Sequence, residues 1–149
     1  MNPMSSTTPG PDDTPRSGAD VMREFVPASP FVIHLGIRLD ELRPDGATLT
    51  LPFLPNLATL GTIVHGGAIA SLLDTAAMAA AWSGAEAPAN MRGTTVGLTV
   101  SYLAPANGED LQARASVLRR GRSLVYVEVE VRGASAGLVA KGLVTYKLG

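Results

Sequence analysis

The chain has 149 residues, of which 46% are apolar and 17% charged, and its formal net charge is -1 at pH 7. This size and composition are typical of one globular domain with a single core. The charge balance provides no positive field for phosphates, which argues against non-specific nucleic-acid binding. The absence of cysteine excludes disulfides and thiolate chemistry, and two histidines, His34 and His65, make a histidine-rich metal site implausible. We therefore expect neither a metal ion nor a nucleic-acid partner.

The N-terminal segment differs in composition from the rest of the chain. Residues 1–19 contain four prolines and two glycines among Ser, Thr and Asp, with no apolar stretch long enough for a signal peptide. We expect 1–19 to be a disordered tail and 20–149 to form a single domain. Residues 66–85 have about the length of a membrane span, but this stretch is mostly alanine and includes Asp74, which a membrane helix would rarely carry. The sequence thus predicts a cytoplasmic protein without a membrane partner.

The remaining segments predict an α+β order of elements. Residues 19–28 have apolar side chains at helical spacing up to Pro27 and predict a short amphipathic helix. Extended patterns at 31–42 and 47–54, with turn residues between them, predict a hairpin. A long helix is expected over 66–84. The β-rich, alternating segments that follow are 94–103, 111–118, 123–131 and 138–148, and their short connections predict antiparallel neighbours.

The helix predicted over 66–84 is apolar on every side, and such a helix must be buried all round. Only the antiparallel sheet offers enough surface to cover it. We therefore expect a curved antiparallel sheet wrapped around a long central helix. One chain of this size does not suffice to cover the helix completely, and a second copy in a dimer is the natural completion.

One carboxylate, Asp74, lies in the middle of this apolar helix. Burying it unpaired would cost several kcal/mol at least, so it must be hydrogen-bonded, protonated or open to a cleft. Helical geometry puts it on one stripe with Gly67, Ser71 and Met78, above the unpaired amides of the helix N-terminus. Gly66 and Gly67 leave those amides unshielded, as an oxyanion site requires. Amide donors and a carboxylate facing one cleft would suit acyl transfer to water.

Structural interpretations of the same residues stay open. An Asp inside a helix is often the partner of a buried polar group. A lone His65 before a helix is more often a packing or capping residue than a general base, and a glycine pair also suits a turn before a helix. The combination of these features is more specific than any one of them.

The pattern Asn56, Gly61, His65-Gly66-Gly67 and Asp74, with the acidic residue nine positions after the histidine, resembles the hotdog-fold acyl-CoA thioesterases. The likeness spans 31–148 and is strongest to the group of phenylacetate-pathway and 4-hydroxybenzoyl-CoA thioesterases. This resemblance implies that Asp74 is the catalytic carboxylate, that the Gly66 amide points at the thioester oxygen and that His65 fixes the loop or the thioester. It also implies an active site shared between two subunits.

Two further assignments depend on this resemblance. The family places a Ser or Thr near the attacking water, and counting back from the segment 101–105 assigns that role to Thr95. Asn56 lies nine residues before His65, where the family more often has about six. Its role is therefore open, since a loop Asn after Pro55 could equally cap or turn the chain.

Coenzyme A would need cationic contacts for its phosphates. Arg119, Arg120 and Arg122 flank Gly121 between two predicted strands, and guanidinium groups suit phosphate oxygens. The alternative is a solubilising hairpin turn. We expect at least one of these arginines to bind coenzyme A.

These patterns favour hydrolysis of an acyl-CoA to a carboxylic acid and free coenzyme A, with coenzyme A entering only as part of the substrate and no separate cofactor. The assembly is expected to be a homodimer or a dimer of dimers. Two alternatives remain. A hotdog hydratase or dehydratase would need a histidine and an acidic residue poised together, and a non-catalytic protein could keep the fold to bind acyl-CoA or an aromatic ligand.

Overall fold

The computed structural model describes residues 15–88 and 91–149. The predicted tail lies outside these residues up to position 14. Its last part belongs to the domain, because the Ser17 side chain caps α1 (Gly18–Ala28) through Asp20 and the Gly18 amide donates to Ala85 O at 2.8 Å. Residues 17–19 thus belong to α1 and its cap, before the predicted boundary at residue 20.

A second short helix replaces part of a predicted strand. α2 (Pro30–Leu35) occupies the first half of the segment 31–42, and only β1 (Arg38–Arg43) is extended. Pro30 at the start of α2 has a φ angle suited to a first helical turn, and Gly36 ends the helix in the left-handed region at φ 72°. These two end signals outweigh the strand preference of the Phe-Val-Ile run between them.

The remaining elements follow the predicted order closely. β2 (Gly46–Leu51) is followed by a 3-10 turn (Pro55–Leu57) and two short strands that the sequence did not reveal, β3 (Ala58–Leu60) and β4 (Ile63–Val64). α3 (Gly66–Ser83) is the predicted long helix. The four C-terminal strands are β5 (Gly93–Tyr102), β6 (Leu111–Arg120), β7 (Leu124–Gly133) and β8 (Gly137–Leu148).

Six strands form one antiparallel sheet in the order β1-β2-β6-β7-β8-β5. β6, β7 and β8 are neighbours as predicted. β5 is not a neighbour of β6, because β2 occupies that side of β6 and β5 instead pairs with the far side of β8. β5 is therefore an edge strand, next to which the sheet could continue.

The core lies between the sheet and α3. The inner residues of β7, Val125, Val127, Val129 and Val131, are all fully buried, as are Leu72, Leu73 and most of the alanines of α3. Gly142 of β8 lets the helix approach, since a Cβ there would come within 2.5 Å of Leu73. The close approach of β8 to α3 thus depends on a residue without a side chain at position 142. None of the helices within 15–88 and 91–149 meets the length and hydropathy needed to cross a membrane.

Candidate active site

One face of α3 is left partly open by the sheet. Asp74, Ser71 and Met78 are only half-buried, although the residues on the opposite side of the helix are fully buried. The spacing of three and four residues places these three side chains on a single stripe. The predicted stripe is therefore present, and it faces away from the core of its own chain.

Asp74 has a specific partner on β5. Thr95 Oγ1 donates a hydrogen bond to Asp74 Oδ1 at 2.7 Å. The sheet directs Thr95 toward the helix through a register irregularity between Thr95 and Gly97, where Val96 is the extra residue. Because of this bulge Thr95 lies opposite Tyr146 and Leu98 lies opposite Val144, and both partners on β8 are buried against the core.

A cavity of about 350 Å³ opens at this pair. Its polar lining includes Asp74, Thr94 and Thr95, and its walls include Met78. Other lining residues were not singled out from the sequence, and they come from α1, α2 and β8: Phe25, Phe31, Val32 and Tyr146. The sequence predicts a strand at Phe31 and a short amphipathic helix at Phe25, and the packing of α1 against α3 and of α2 against α1 brings both residues to this cavity.

The N-terminus of α3 lies apart from the Asp74 cavity and has its own hydrogen bonds. His65 is the N-cap of α3, and its Nδ1 accepts a hydrogen bond from the Gly67 amide at 2.8 Å. The Ala68 and Ile69 amides donate to His65 O. Among the described residues, no acceptor bonds the Gly66 amide. Of the two glycine amides predicted to be free for an oxyanion, only that of Gly66 remains available.

Tyr102 of β5 closes over this end of the helix. Its hydroxyl donates to Gly66 O at 2.8 Å, and a Cβ on Gly66 would come within 3.3 Å of its ring. The ring therefore leaves little room for a side chain at position 66. Ser71 is also engaged locally, since its hydroxyl donates to Gly67 O at 2.8 Å. Sequence reasoning did not identify Tyr102, because nothing in its local pattern relates it to residue 66.

Within one chain, the predicted oxyanion donor Gly66 and the predicted carboxylate Asp74 are far apart. Gly66 and Asp74 are eight residues apart on one helix, which corresponds to about 12 Å along its axis. A reacting carbonyl must lie about 3 Å from both its oxyanion donor and its nucleophile. The expectation that both face one cleft is therefore not met inside a single protomer. Asn56 lies outside α3, exposed on the 3-10 turn. The next residue of this turn, Leu57, accepts a hydrogen bond at its carbonyl oxygen from the His65 amide at 2.8 Å.

The three arginines of the β6–β7 turn divide into two kinds. Arg120 points inward, where its guanidinium donates to Asp45 Oδ1 and to Ala81 O at the end of α3. Arg119 and Arg122 are exposed and line a surface cavity of about 500 Å³ with Ser123 and Tyr126. A neighbouring cavity of about 290 Å³ is lined by Arg92 and Lys147. This second cavity shares Gly93 and Thr94 with the Asp74 cavity.

Comparisons with known proteins agree with this architecture. Residues 61–140 match the model of the Thioesterase superfamily. The chain is 30% identical over 138 residues to the medium/long-chain acyl-CoA thioesterase YigI of Escherichia coli, covering 84% of this chain and 89% of that one.

Solved structures show the same fold. A thioesterase family protein from Silicibacter pomeroyi superimposes with a TM-score of 0.81 at 27% identity, covering 89% of this chain and 98% of the other. The PaaI protein of the Escherichia coli phenylacetic acid degradation operon gives a TM-score of 0.73 over 89% and 91% of the chains, and its 23% identity shows a common fold alone. The sheet wrapped around α3 is the hotdog fold, the chain belongs to the Thioesterase superfamily, and its reaction is the hydrolysis of a thioester.

Proposed function

We propose that this protein is an acyl-CoA thioesterase in which Asp74 activates the attack on the thioester carbonyl. The observation that carries the proposal is the Asp74 carboxylate on the open face of α3, held by Thr95 at 2.7 Å inside a cavity with apolar walls. A half-buried carboxylate with one oxygen fixed by a hydroxyl can direct its other oxygen to a water molecule. The relative YigI, by its name, acts on medium- and long-chain acyl-CoA.

The reaction balances without any further reagent. Asp74 takes a proton from water while the water oxygen bonds to the carbonyl carbon, and the C–S bond then breaks. The coenzyme A thiolate leaves and takes up a proton, and the other product is the carboxylic acid. In the alternative, Asp74 bonds to the carbonyl carbon itself and water then cleaves the resulting anhydride.

A single turnover in ¹⁸O-labelled water tests the nucleophilic route, because only that route can put label into Asp74, whereas label in the acid arises by either route if water attacks the acyl carbonyl of the anhydride. If Asp74 is the general base, the acid formed in the first turnover carries one solvent oxygen. If Asp74 is the nucleophile and water attacks the Asp74 carbonyl of the anhydride, the label enters Asp74 instead. Mass spectrometry of the acid and of the peptide containing Asp74 measures both outcomes.

A homodimer would bring the separated halves of the site together. The open stripe of α3 and the inner face of β5 lie side by side, and Leu98 and Tyr102 on that face are 42% and 53% exposed. If a two-fold axis sets the two α3 helices antiparallel, the Gly66 amide of one subunit approaches Asp74 of the other. That amide would then stabilise the oxyanion formed at the thioester carbonyl. Light scattering tests this dimer and the predicted dimer of dimers.

The basic turn is our candidate site for the coenzyme A phosphates. Arg119 and Arg122 are exposed and have no ion-pair partner among the described residues, whereas Arg120 is held by Asp45. Arg92 and Lys147 form the alternative site, next to the Asp74 cavity. The apolar walls favour an aromatic or medium-chain acyl group. A cytoplasmic location stays a prediction from the sequence.

Asp74→Asn is the decisive variant. We expect kcat to fall by about 10³-fold or more, because the amide can neither accept the water proton nor attack the carbonyl efficiently. The assay measures coenzyme A release from a panel of acyl-CoAs with a thiol reagent, and circular dichroism with light scattering checks fold and assembly. Near-normal turnover of Asp74→Asn would contradict this mechanism. Tight binding by the parent protein without thiol release would instead favour a binding protein, and hydration of an enoyl-CoA would favour a hydratase.

A further inference from the structure

The Asp74 cavity contains a second polar group that the proposed hydrolysis does not use. Tyr146 of β8 lines this cavity, is only 5% exposed and lies opposite Thr95 in the β5–β8 ladder. Asp74 and Thr95 line the same cavity as this tyrosine. A buried tyrosine hydroxyl needs hydrogen-bond partners. The partners it already has determine whether it can still donate to a ligand.

Trp82 fixes the direction in which this hydroxyl can donate. The buried Trp82 Nε1 donates to Tyr146 Oη at 3.2 Å. An indole N–H is a donor only, so Tyr146 cannot return its own proton to Trp82. Within 15–88 and 91–149 the Tyr146 hydroxyl donates to no protein acceptor. Its proton is therefore available to an acceptor that enters the cavity.

The local backbone is shaped to admit this hydroxyl. Gly93, at the start of β5, also lines the cavity, and a Cβ at that position would come within 2.5 Å of Tyr146 Oη. Any other residue would displace the phenol or the strand. Burial raises the pKa of Tyr146, an effect that the Trp82 hydrogen bond opposes and the charge of Asp74 reinforces. The phenol therefore keeps its proton throughout the neutral range.

We propose that Tyr146 is a specificity-determining residue whose hydroxyl donates a hydrogen bond to an oxygen atom of the acyl group. The inference rests on the proposed acyl-CoA thioesterase function and deepens it. It names the substrate class as acyl groups that carry a hydroxyl or keto oxygen in addition to the thioester carbonyl. Such an oxygen would meet a buried donor that is already oriented by Trp82.

The surroundings favour the acyl group over coenzyme A as the source of this oxygen. Phe25, Phe31 and Met78 give the cavity apolar walls, which suit the hydrocarbon part of an acyl chain or an aromatic ring. Arg119 and Arg122, the first candidates for the phosphates, lie in a different cavity at the β6–β7 turn. A polar donor at one point of an apolar cavity discriminates strongly, because a substrate without the matching oxygen leaves that donor unpaired.

The test compares pairs of acyl-CoAs that differ by one oxygen. Each pair has the same chain or aryl group with and without a hydroxyl or keto oxygen, and the position of the oxygen varies across the panel. The measured quantity is the ratio of kcat/KM within each pair. For at least one position, the parent protein should prefer the oxygen-bearing member by about tenfold or more, and Tyr146→Phe should reduce that ratio to about one.

Trp82→Phe is the matched control. Both variants lose the hydrogen bond between Trp82 and Tyr146, but only Tyr146→Phe loses the phenolic proton. Trp82→Phe should therefore keep most of the preference, and thermal unfolding of both variants measures the stability lost with the shared bond. If Tyr146→Phe does not fold, the ratios of the parent protein still test the proposal.

Three outcomes would overturn the proposal. The parent protein could show no preference within any pair, Tyr146→Phe could keep the preference, or Tyr146→Phe could lower kcat/KM equally on both members of every pair. The last result would mean that the hydroxyl contacts coenzyme A or orders Asp74. Failure of the proposed function is a separate result, because it would appear as no thiol release from any acyl-CoA.

Discussion

Strands β7 and β5 are both ten residues long and both rich in β-branched and aromatic residues, yet they use those residues differently. In β7 every inner valine is fully buried against α3. In β5 the residues Val96, Leu98 and Tyr102 are 54%, 42% and 53% exposed. β7 completes the core of its own chain, whereas β5 carries Thr95 and Tyr102 to the open side of α3. The difference indicates that the candidate site uses a strand that contributes little to the buried core of one protomer.

A charged substitution on each strand should show the difference between β7 and β5 most clearly. We expect Val129→Asp on β7 to prevent folding, because an unpaired carboxylate in the fully buried core costs several kcal/mol. Leu98→Asp on β5 should leave the protomer folded but separate the dimer and reduce activity by about 100-fold or more. Circular dichroism, light scattering and the thiol assay measure these effects. A fully active Leu98→Asp monomer would contradict the shared site.

Thr95→Val tests the contribution of β5 to the chemistry itself. The substitution keeps the shape of the side chain and removes the hydroxyl that donates to Asp74 at 2.7 Å. We expect kcat to fall by about 10- to 100-fold with a smaller change in KM, because the carboxylate would lose its orientation. Thr99→Val, at an exposed position of the same strand outside this cavity, is the matched control. Equal kcat for Thr95→Val and the parent would remove Thr95 from the mechanism.

The arginines of the β6–β7 turn test whether exposed and inward-pointing side chains have different roles. Replacing Arg119 and Arg122 by Ala should raise KM for acyl-CoA by about tenfold and leave kcat and stability nearly unchanged, since forked bonds to phosphate stabilise binding more than an exposed ion pair would. Arg120→Ala should do the reverse, costing about 1–2 kcal/mol of unfolding free energy through its lost bonds to Asp45 and Ala81 O. The KM effect should weaken at high salt and for pantetheine thioesters.

If the double variant retains the parent KM on full acyl-CoA, the turn is only a solvated hairpin. Arg92→Ala and Lys147→Ala would then test the cavity beside the Asp74 site. If Arg120→Ala alone raises KM without loss of stability, its inward position would not hold in solution.

The smallest expected effect concerns Tyr146 and alkaline pH. Burial raises the pKa of this phenol above 10.0 in the folded state, so the folded protein keeps a proton that the unfolded chain has lost. Stability is therefore fully present below the ordinary tyrosine pKa and falls as pH rises through the raised value. Urea unfolding at pH 8 and above pH 10 should show a smaller decline for Tyr146→Phe than for the parent. An equal decline would assign the effect to other groups.

Much of the fold could be predicted from the sequence because its patterns are local. The apolar run 66–84 and four alternating segments identify α3 and β5–β8, and the family motif singles out Asp74 as the candidate carboxylate. The helix α2 could not be predicted from propensity, since Phe31, Val32 and Ile33 favour strands and only Pro30 and Gly36 mark the ends of a helix. β5 pairs with β8 because β2 and β7 occupy both sides of β6, and no local pattern encodes that arrangement.

The site was less predictable, because it depends on contacts between distant segments. Alternation alone would turn Thr95 outward with respect to Leu98, and only the bulge at Val96 turns both inward. Tyr146 and Trp82 are 64 residues apart and look like ordinary core residues in the sequence. The inward position of Arg120 likewise depends on Asp45, which lies 75 residues away. Such pairings follow from register and packing.

The cap that His65 forms on α3 also determines where the protons of the site reside. Nδ1 accepts from the Gly67 amide, so this nitrogen has no proton to give and no lone pair left to take one while the cap is intact. A neutral ring must then carry its hydrogen on Nε2, and the exposed edge of the imidazole is a donor. With Nδ1 occupied by the cap and the hydrogen on Nε2, His65 cannot remove a proton from water. Its remaining capacity is to donate to an oxygen, so of the two residues only Asp74 could act as the base in the proposed reaction.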